Sequence, residues 1–443
     1  MEWIGEIPEG WDVKRLKLVV SKVGSGVTPK GGANAYQLDG IPLLRSQNIH
    51  FNGLKLDDVA YISQEIHDEM QNSKVMDGDV LLNITGASIG RCYFSDGSLE
   101  EANVNQHVCI IRPASAIGTK YLYYLLRSDV GQKQIDVDQT GSGREGLNFE
   151  VLKNFLFPLA DTAEQTAIAT FLDRKTAEID QLIANKEKLI ALYEEEKATI
   201  INHAVTKGLD PKVKTKPSGV DWLGDIPEHW EVKRLKYVKA EVKNSFVDGP
   251  FGSNLKTEHF VNNGGVYVID SGYITSGCFN QHKEFKTITE EHFETIKRSE
   301  CVENDIVIAK IGANFGMSGI LPKLDKPSVV SGNSLKLTIG NGYNLKFIHY
   351  QLLNLKQNGV IDIEVKGSAQ PALSMQLMSE MPFLKTNEAE QTSIGAHIEA
   401  ECARLTTIID KFKKQVELFK EYRTTLISEV VTGKIDVRDE VAT

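Results

Sequence analysis

Trp3-Ile-Gly-Glu-Ile-Pro-Glu-Gly-Trp11-Asp-Val-Lys-Arg-Leu-Lys-Leu-Val19 returns 219 residues later as Trp222-Leu-Gly-Asp-Ile-Pro-Glu-His-Trp230-Glu-Val-Lys-Arg-Leu-Lys-Tyr-Val238. A period this long is no solenoid repeat, so the repeated unit is a whole domain plus a connector, and the chain is an internal tandem duplication. The ends of the two halves repeat as well. Glu164-Gln165-Thr166-Ala-Ile168 matches Glu390-Gln391-Thr392-Ser-Ile394, and Ala204-Val-Thr-Lys-Gly-Leu-Asp210 matches Val430-Val-Thr-Gly-Lys-Ile-Asp436, both at an offset of 226. No insertion separates those anchors, as expected of a helix whose register is fixed by packing along its length.

Steps of three and four from Gln165 reach Ile168, Leu172, Lys175, Ile179, Leu182, Lys186, Leu189, Tyr193, Glu196 and Ile200. From Gln391 they reach Ile394, Ile398, Glu401, Leu405, Ile408, Phe412, Gln415, Phe419, Tyr422 and Leu426. Both stripes are mainly apolar, flanked by Lys- and Glu-rich faces, and this heptad pattern predicts two proline-free helices of roughly 45 residues, about 65 Å each. Matched helices that each close one half favour pairing with one another over packing of each on its own domain. Upstream of each lies a stretch of roughly 150 residues with short β-like runs, such as Asp79-Val-Leu-Leu-Asn-Ile84 and Asp305-Ile-Val-Ile-Ala309, and Gly-rich turns. The fold class is therefore α/β (α+β). The expected boundaries are a first globular domain at 1–160, a long helix at 161–206, an extended linker at 207–220, a second domain at 221–386, a second helix at 387–432 and a tail at 433–443.

The 443 residues, 41% hydrophobic and 25% charged, can fill more than one core. The N-terminus lacks the pattern of a signal peptide, no apolar run reaches membrane-spanning length, and the cytoplasm is the expected compartment. Cys92, Cys109, Cys278, Cys301 and Cys402 form no C-x-x-C pair and read as buried thiols rather than a zinc site or a disulfide framework. A net charge of -10 opposes a simple nucleic-acid binder, whose affinity comes from Lys and Arg on phosphates. That tension eases if basic side chains gather on one face or a partner supplies phosphate contacts.

Together, the two opening motifs, Gly24-Ser-Gly-Val-Thr28-Pro29, Gly249-Pro-Phe-Gly-Ser253-Asn254-Leu-Lys256 and the paired Glu-Gln-Thr-x-Ile helix starts resemble the specificity subunits of type I restriction-modification systems over nearly the whole chain. The resemblance implies two target-recognition domains, each reading half of a split target in double-stranded DNA, and an antiparallel coiled coil acting as a ruler between them. It further implies a non-catalytic chain that binds no cofactor itself. On the same resemblance, modification subunits are expected to dock on the helices and methylate adenine with S-adenosylmethionine, and a restriction subunit to use ATP and Mg²⁺, with no membrane involved. Met1 falls almost directly on the first motif, without the Ser-Gly-Val that precedes Trp222's Asp221. Independently of the family, halves that agree at their openings and helices but diverge between them would bind a shared partner and read different sequences, so the target should be asymmetric.

Base readout needs paired donors and acceptors at groove edges. Candidates in the first domain are Thr28, Lys30, Arg45, Gln47, Asn48, Arg91, Gln106 and Arg144; in the second they are Ser253, Asn254, Lys256, Lys310, Asn314, Lys366 and Gln370. On the helices, Ile168, Leu172, Ile179, Leu189, Tyr193, Ile394, Leu405, Phe412, Phe419 and Tyr422 are expected to serve pairing and partner docking. Gly141-Ser-Gly143-Arg-Glu-Gly146 fits a dinucleotide fingerprint, but its counterpart Gly367-Ser-Ala-Gln-Pro371-Ala372 does not, which disfavours a cofactor site. Asp362-Ile-Glu364-Val-Lys366 hints at a metal-dependent nuclease core, but the first half lacks the lysine. With no methyltransferase tetrapeptide and no H-E-x-x-H, the chain reads as no enzyme and no metal protein. The alternative is a coiled-coil adaptor that grips proteins.

Overall fold

The computed structural model describes residues 4–142, 146–250, 252–275, 277–281, 283–312, 314–364 and 372–441. Contacts divide the chain into two units, 1–187 with 413–443 and 188–412. Each unit thus holds one globular domain, the first part of the helix that leaves it, and the last part of the other long helix.

In the first unit a four-stranded antiparallel sheet runs in the order Val20–Ser25, Val108–Pro113, Val80–Asn83, Cys92–Phe94. Val80–Asn83 is buried at every position, which explains why its sequence is an apolar run rather than an alternation. A second sheet orders Ala60–Ile62, Ile41–Leu44 and Asn103–Val104, the last two parallel. The opening strand Asp12–Arg15 pairs with Leu156–Leu159, so the motif at the domain's start is joined to the strand that delivers the chain to its helix.

The second unit repeats this plan. Phe246–Asp248, Ser334–Leu337, Ile306–Ala309 and Ser318–Ile320 form the antiparallel sheet. Lys286–Ile288, Val266–Ile269, Ser328–Val330 and Glu300–Cys301 form the second, again with one parallel pair, here the central one. Glu231–Arg234 pairs with Pro382–Lys385. The stretch expected as a linker is extended but not free, since Thr215–Pro217 pairs antiparallel with Asp225–Pro227.

The long helices run Thr162–Lys207 and Glu388–Val431. Their starts are built alike: Asp161 and Asn387 each accept the backbone N–H three residues on, at 2.9 Å, and act as N-caps. Glu164 accepts the indole N–H of Trp11 at 2.9 Å, and Glu390 that of Trp230 at 3.1 Å. The neighbouring glutamine, 2% exposed at Gln165 and 0% at Gln391, is spent on backbone alone. Gln165 accepts from Gly118 N–H at 2.8 Å and donates to the Ala116 and Ala160 carbonyls; Gln391 accepts from Asn344 N–H at 2.8 Å and donates to those of Gly342 and Thr386. Their ends also agree, with Gly208 (φ 77°) and Gly433 (φ 72°) in the left-handed conformation that stops a helix.

The helices pair as expected within each unit, and their first turns also pack on their own domains. Ile168 and Leu172, buried near their own domain, are joined on the opposite helix in the first unit by Arg423, ion-paired with Asp180, and by Lys420, 3.4 Å from Glu187. In the second unit the Tyr193 and Phe412 rings stack at 5.9 Å, and Arg404 meets Glu196 at 3.6 Å. In both cases numbers on one helix rise as those on the other fall, so the segments are antiparallel. Pairs this exposed contribute about 0 to 1 kcal/mol each and act mainly on register.

The buried stripe departs from the expected one. Leu182 is 44% exposed and Tyr422 56%, whereas Ile183 and Val416 are buried. A 3.6-residue helix drifts about 20° per heptad against a strict 3.5-residue stripe, enough to bring the next residue inward. Four of the five thiols are buried as expected, and burial pushes Cys92, Cys109 and Cys301 up to about 12; Cys278 is exposed.

Replacing Gln391 by Ala leaves two carbonyls and one N–H unpaired, and the expected loss is about 3 kcal/mol, read as a lowered urea midpoint. An unchanged midpoint would contradict the clamp. His349, with Nδ1 3.2 Å from the Ser318 hydroxyl and Nε2 3.1 Å from the Gly277 carbonyl, is pushed down by burial from 6.5 to about 4. The unfolded chain takes up this proton near pH 6.5 and the folded chain resists it. Stability should therefore fall by about 3 kcal/mol as pH drops from 6.5 to 4, and no further below. Unfolding curves of His349→Gln should lack that slope.

Candidate nucleic-acid interface

At one end of each four-stranded sheet, backbone bonds gather loops that are far apart in sequence. In the first unit Ile84 N–H donates to the His107 carbonyl at 3.0 Å, Leu147 N–H to that of Ile84 at 2.8 Å, and Gly90 N–H to that of Asn83 at 2.9 Å. The second unit repeats all three 226 residues on: Lys310 to Asn333 at 2.8 Å, Leu373 to Lys310 at 3.1 Å, and Gly316 to Ala309 at 2.8 Å. Asn105 N–H donates to Leu44, and Ser331 N–H to Ile269, tying in the second sheet in both units. Gly26 and Gly249 make the closest approach. A Cβ on Gly26 would lie 1.6 Å from the Val104 carbonyl oxygen, and one on Gly249 would lie 2.0 Å from that of Ser331.

On this shared frame the side chains differ. Gln106 and His107 stand where the second unit has Gly332 and Asn333; Thr85, Asn83 and Arg91 stand where it has Ile311, Ala309 and Met317. In the first unit the Thr28 hydroxyl donates to Gln106 Oε1 at 2.7 Å, Gln106 Nε2 lies 2.9 Å from His107 Nε2, and His107 Nδ1 lies 2.6 Å from the Thr85 hydroxyl. Arg45 stacks 5.7 Å over the Tyr36 ring and donates to the Asp58 carbonyl at 3.0 Å, while Gln47 donates to the Asp58 carboxylate at 2.6 Å. Arg91 is half-buried beside the same frame. Lys30 is exposed and lies 3.6 Å from Glu69.

Two candidates face inward. Asn48 is 1% exposed, accepts the Arg45 N–H and donates to the Lys55 carbonyl at 2.8 Å, so it shapes its loop. Lys310, 8% exposed, pairs with Asp248 at 3.2 Å, and Asp248 also holds Arg298 at 2.8 Å. In the second unit Asn254 and Lys256 are exposed, Lys256 lying 3.5 Å from Glu258, and Asn314 donates to the Ser271 carbonyl at 3.4 Å. Lys256 borders an open cleft of about 440 Å³ together with Asp270, Lys286 and Asn333. Arg144, Lys366 and Gln370 lie outside the described residues, as does the Ser253 side chain. So does part of both the glycine-rich fingerprint and the acidic-x-Lys stretch; its Asp362 pairs with Lys356 at 2.7 Å. Of the helix candidates, Ile168, Leu172, Ile179, Ile394 and Leu405 are buried, Leu189, Tyr193, Phe412 and Phe419 half-buried, and Tyr422 alone is exposed. The five buried side chains pack inside the fold, and the other five are at least partly open to solvent.

Sequence reading missed His107, Thr85, Tyr36 and Asp58. The signal for the first two was their divergence at matched positions, Gln106-His107 against Gly332-Asn333.

The duplicated scaffold carries different loop tips in its two halves, and residues 8–191 match the family model described as the type I restriction modification DNA specificity domain. The chain is 23% identical over 447 residues to the putative MjaX specificity subunit of Methanocaldococcus jannaschii, covering 98% of this chain and 96% of that one. It is 30% identical over 186 residues to the EcoBI specificity subunit of Escherichia coli, spanning 40% of this chain and 37% of that one. Among solved structures, a chain from a work on assembly and conformational transition of a type I restriction-modification system matches with TM-score 0.72 at 13% identity, covering 97% of this chain and 100% of that one. The HsdS subunit of Thermoanaerobacter tengcongensis matches with TM-score 0.52 at 14% identity, covering 97% and 98%. These structures establish the fold. Residues 8–191 thus match the DNA specificity domain of type I systems, and nearly the whole chain is similar to specificity subunits of that kind. No described helix is long and apolar enough to cross a membrane.

Gly249→Ala should displace the loop before Lys256, and the expected outcome is DNA affinity reduced at least tenfold in a gel shift with the melting of the first unit unchanged. Unaltered binding would show that this loop does not carry the interface.

Proposed function

We propose that this chain is the DNA-reading subunit of a cytoplasmic type I restriction-modification complex, each unit reading one half of an asymmetric split target. The observation that carries this reading is the pair of matched backbone frames with unmatched tips. Equal frames fit equal docking and equal approach to a duplex, and different tips present different donors and acceptors to base edges. The boundaries 1–160 and 221–386 are taken as the two target-recognition domains. The long helices serve as the spacer and the dock for modification subunits, through outward residues such as Leu182, Leu418 and Tyr422. Chemistry lies with the partners: adenine methylation from S-adenosylmethionine on the modification subunits, and ATP- and Mg²⁺-dependent cleavage on a restriction subunit.

The net charge of -10 fits this division, because a partner that encloses the DNA supplies phosphate contacts that the reader lacks. The chain alone should then bind DNA weakly, and the complex at least a hundredfold tighter. Sequencing modified bases after co-expression with the modification subunit in a methylation-free host should yield a split, asymmetric adenine-methylation motif. A palindromic motif would overturn the reading.

A further inference from the structure

We infer that Gln106 reads adenine in the first half of the target, and that Thr28 and His107 are positioning residues that hold its amide in one orientation. The inference rests on the proposed DNA-reading function. Gln106 is exposed at the tip of the turn between Asn103–Val104 and Val108–Pro113. The turn is fixed by three bonds: Val108 N–H to the Asn105 carbonyl at 3.2 Å, His107 N–H to Asn105 Oδ1 at 3.0 Å, and Ile84 N–H to the His107 carbonyl at 3.0 Å.

The side chain is fixed from both ends. Its Oε1 accepts from the Thr28 hydroxyl, and its Nε2 donates to His107 Nε2, which must then carry its proton on Nδ1 and donate it to the Thr85 hydroxyl. The chain Thr28, Gln106, His107, Thr85 thus runs in one direction. With His107 in this tautomer a flipped amide would set its carbonyl against the lone pair of Nε2, and in either sense the bonds to Thr28 and His107 hold the plane of the amide in place. What remains on Gln106 is one N–H and one carbonyl lone pair at the surface, and adenine offers the matching N7 acceptor and N6 donor in the major groove. Preorganisation of this kind lowers the ordering cost of a readout side chain. In the second unit Gly332, Asn333 and Ile311 replace Gln106, His107 and Thr85, so the effect is confined to the first half-target.

The test is the methylation motif of the co-expressed complex for the parent, Gln106→Ala, Gln106→Glu, His107→Leu and His107→Asn chains. Gln106→Ala should make one adenine of the first half degenerate, with discrimination there reduced about tenfold to a hundredfold. Gln106→Glu should shift that position toward cytosine, whose N4 donates to a carboxylate. His107→Leu should relax the same position, and His107→Asn, which keeps an acceptor for the Gln106 N–H, should restore adenine; a purely structural role for His107 would not separate those two. The second half-target stays unchanged in every variant and reports that each is folded. A parent motif in which neither Gln106 variant alters any position overturns this inference and leaves the proposed function standing. A parent with no split motif at all overturns both.

Discussion

The clamp at the start of each long helix is the constraint on which the remainder of the structure depends. Trp11 donates to Glu164 and Trp230 to Glu390, while Gln165 and Gln391 each bind three backbone groups of their own domain. A helix held at its first turn by buried bonds cannot rotate about its axis, so the face it offers to its antiparallel neighbour is settled where it leaves the domain. Helices of 46 and 44 residues then need only modest side-to-side contacts to keep register. That is what the partly exposed ion pairs and the Tyr193 and Phe412 stack supply. The repetition of the opening motif and the Glu-Gln-Thr motif, distant in sequence, has this contact as its physical cause.

From the clamp, the opening strand and the strand before the helix carry the same frame to the far end of each domain. There, backbone bonds recur at an offset of 226 residues while side chains do not. This separation lets exposed tips such as Gln106 differ from their counterparts, because the matched bonds that hold the loops run between main-chain groups. Gly26 and Gly249 mark its limit, since carbonyl oxygens occupy the space of any Cβ.

The duplication, the two helices and the strand-rich domains were legible in the sequence because each is a pattern over many residues. The phase of the helix stripe was not, since a one-residue slip from Leu182 to Ile183 or from Tyr422 to Arg423 depends on drift that a heptad count ignores. Readout candidates were legible as types and not as roles. Asn48 and Lys310 have the chemistry of base readers, yet their loops need an internal acceptor and a buried counter-charge. Conversely, Thr28 and Gln106 stand 78 residues apart, and no local pattern announces that they meet. Thr215–Pro217 had the composition of a free linker but pairs with the strand beyond the turn.

Whether two equal frames read different half-targets through their tips is decided by replacing residues 245–380 with a second copy of the corresponding first-domain segment, 22–154, and sequencing the methylated bases made with the modification subunit. The expected target is the first half-site twice. Retention of the parent's asymmetric target by a folded, assembled complex would contradict it.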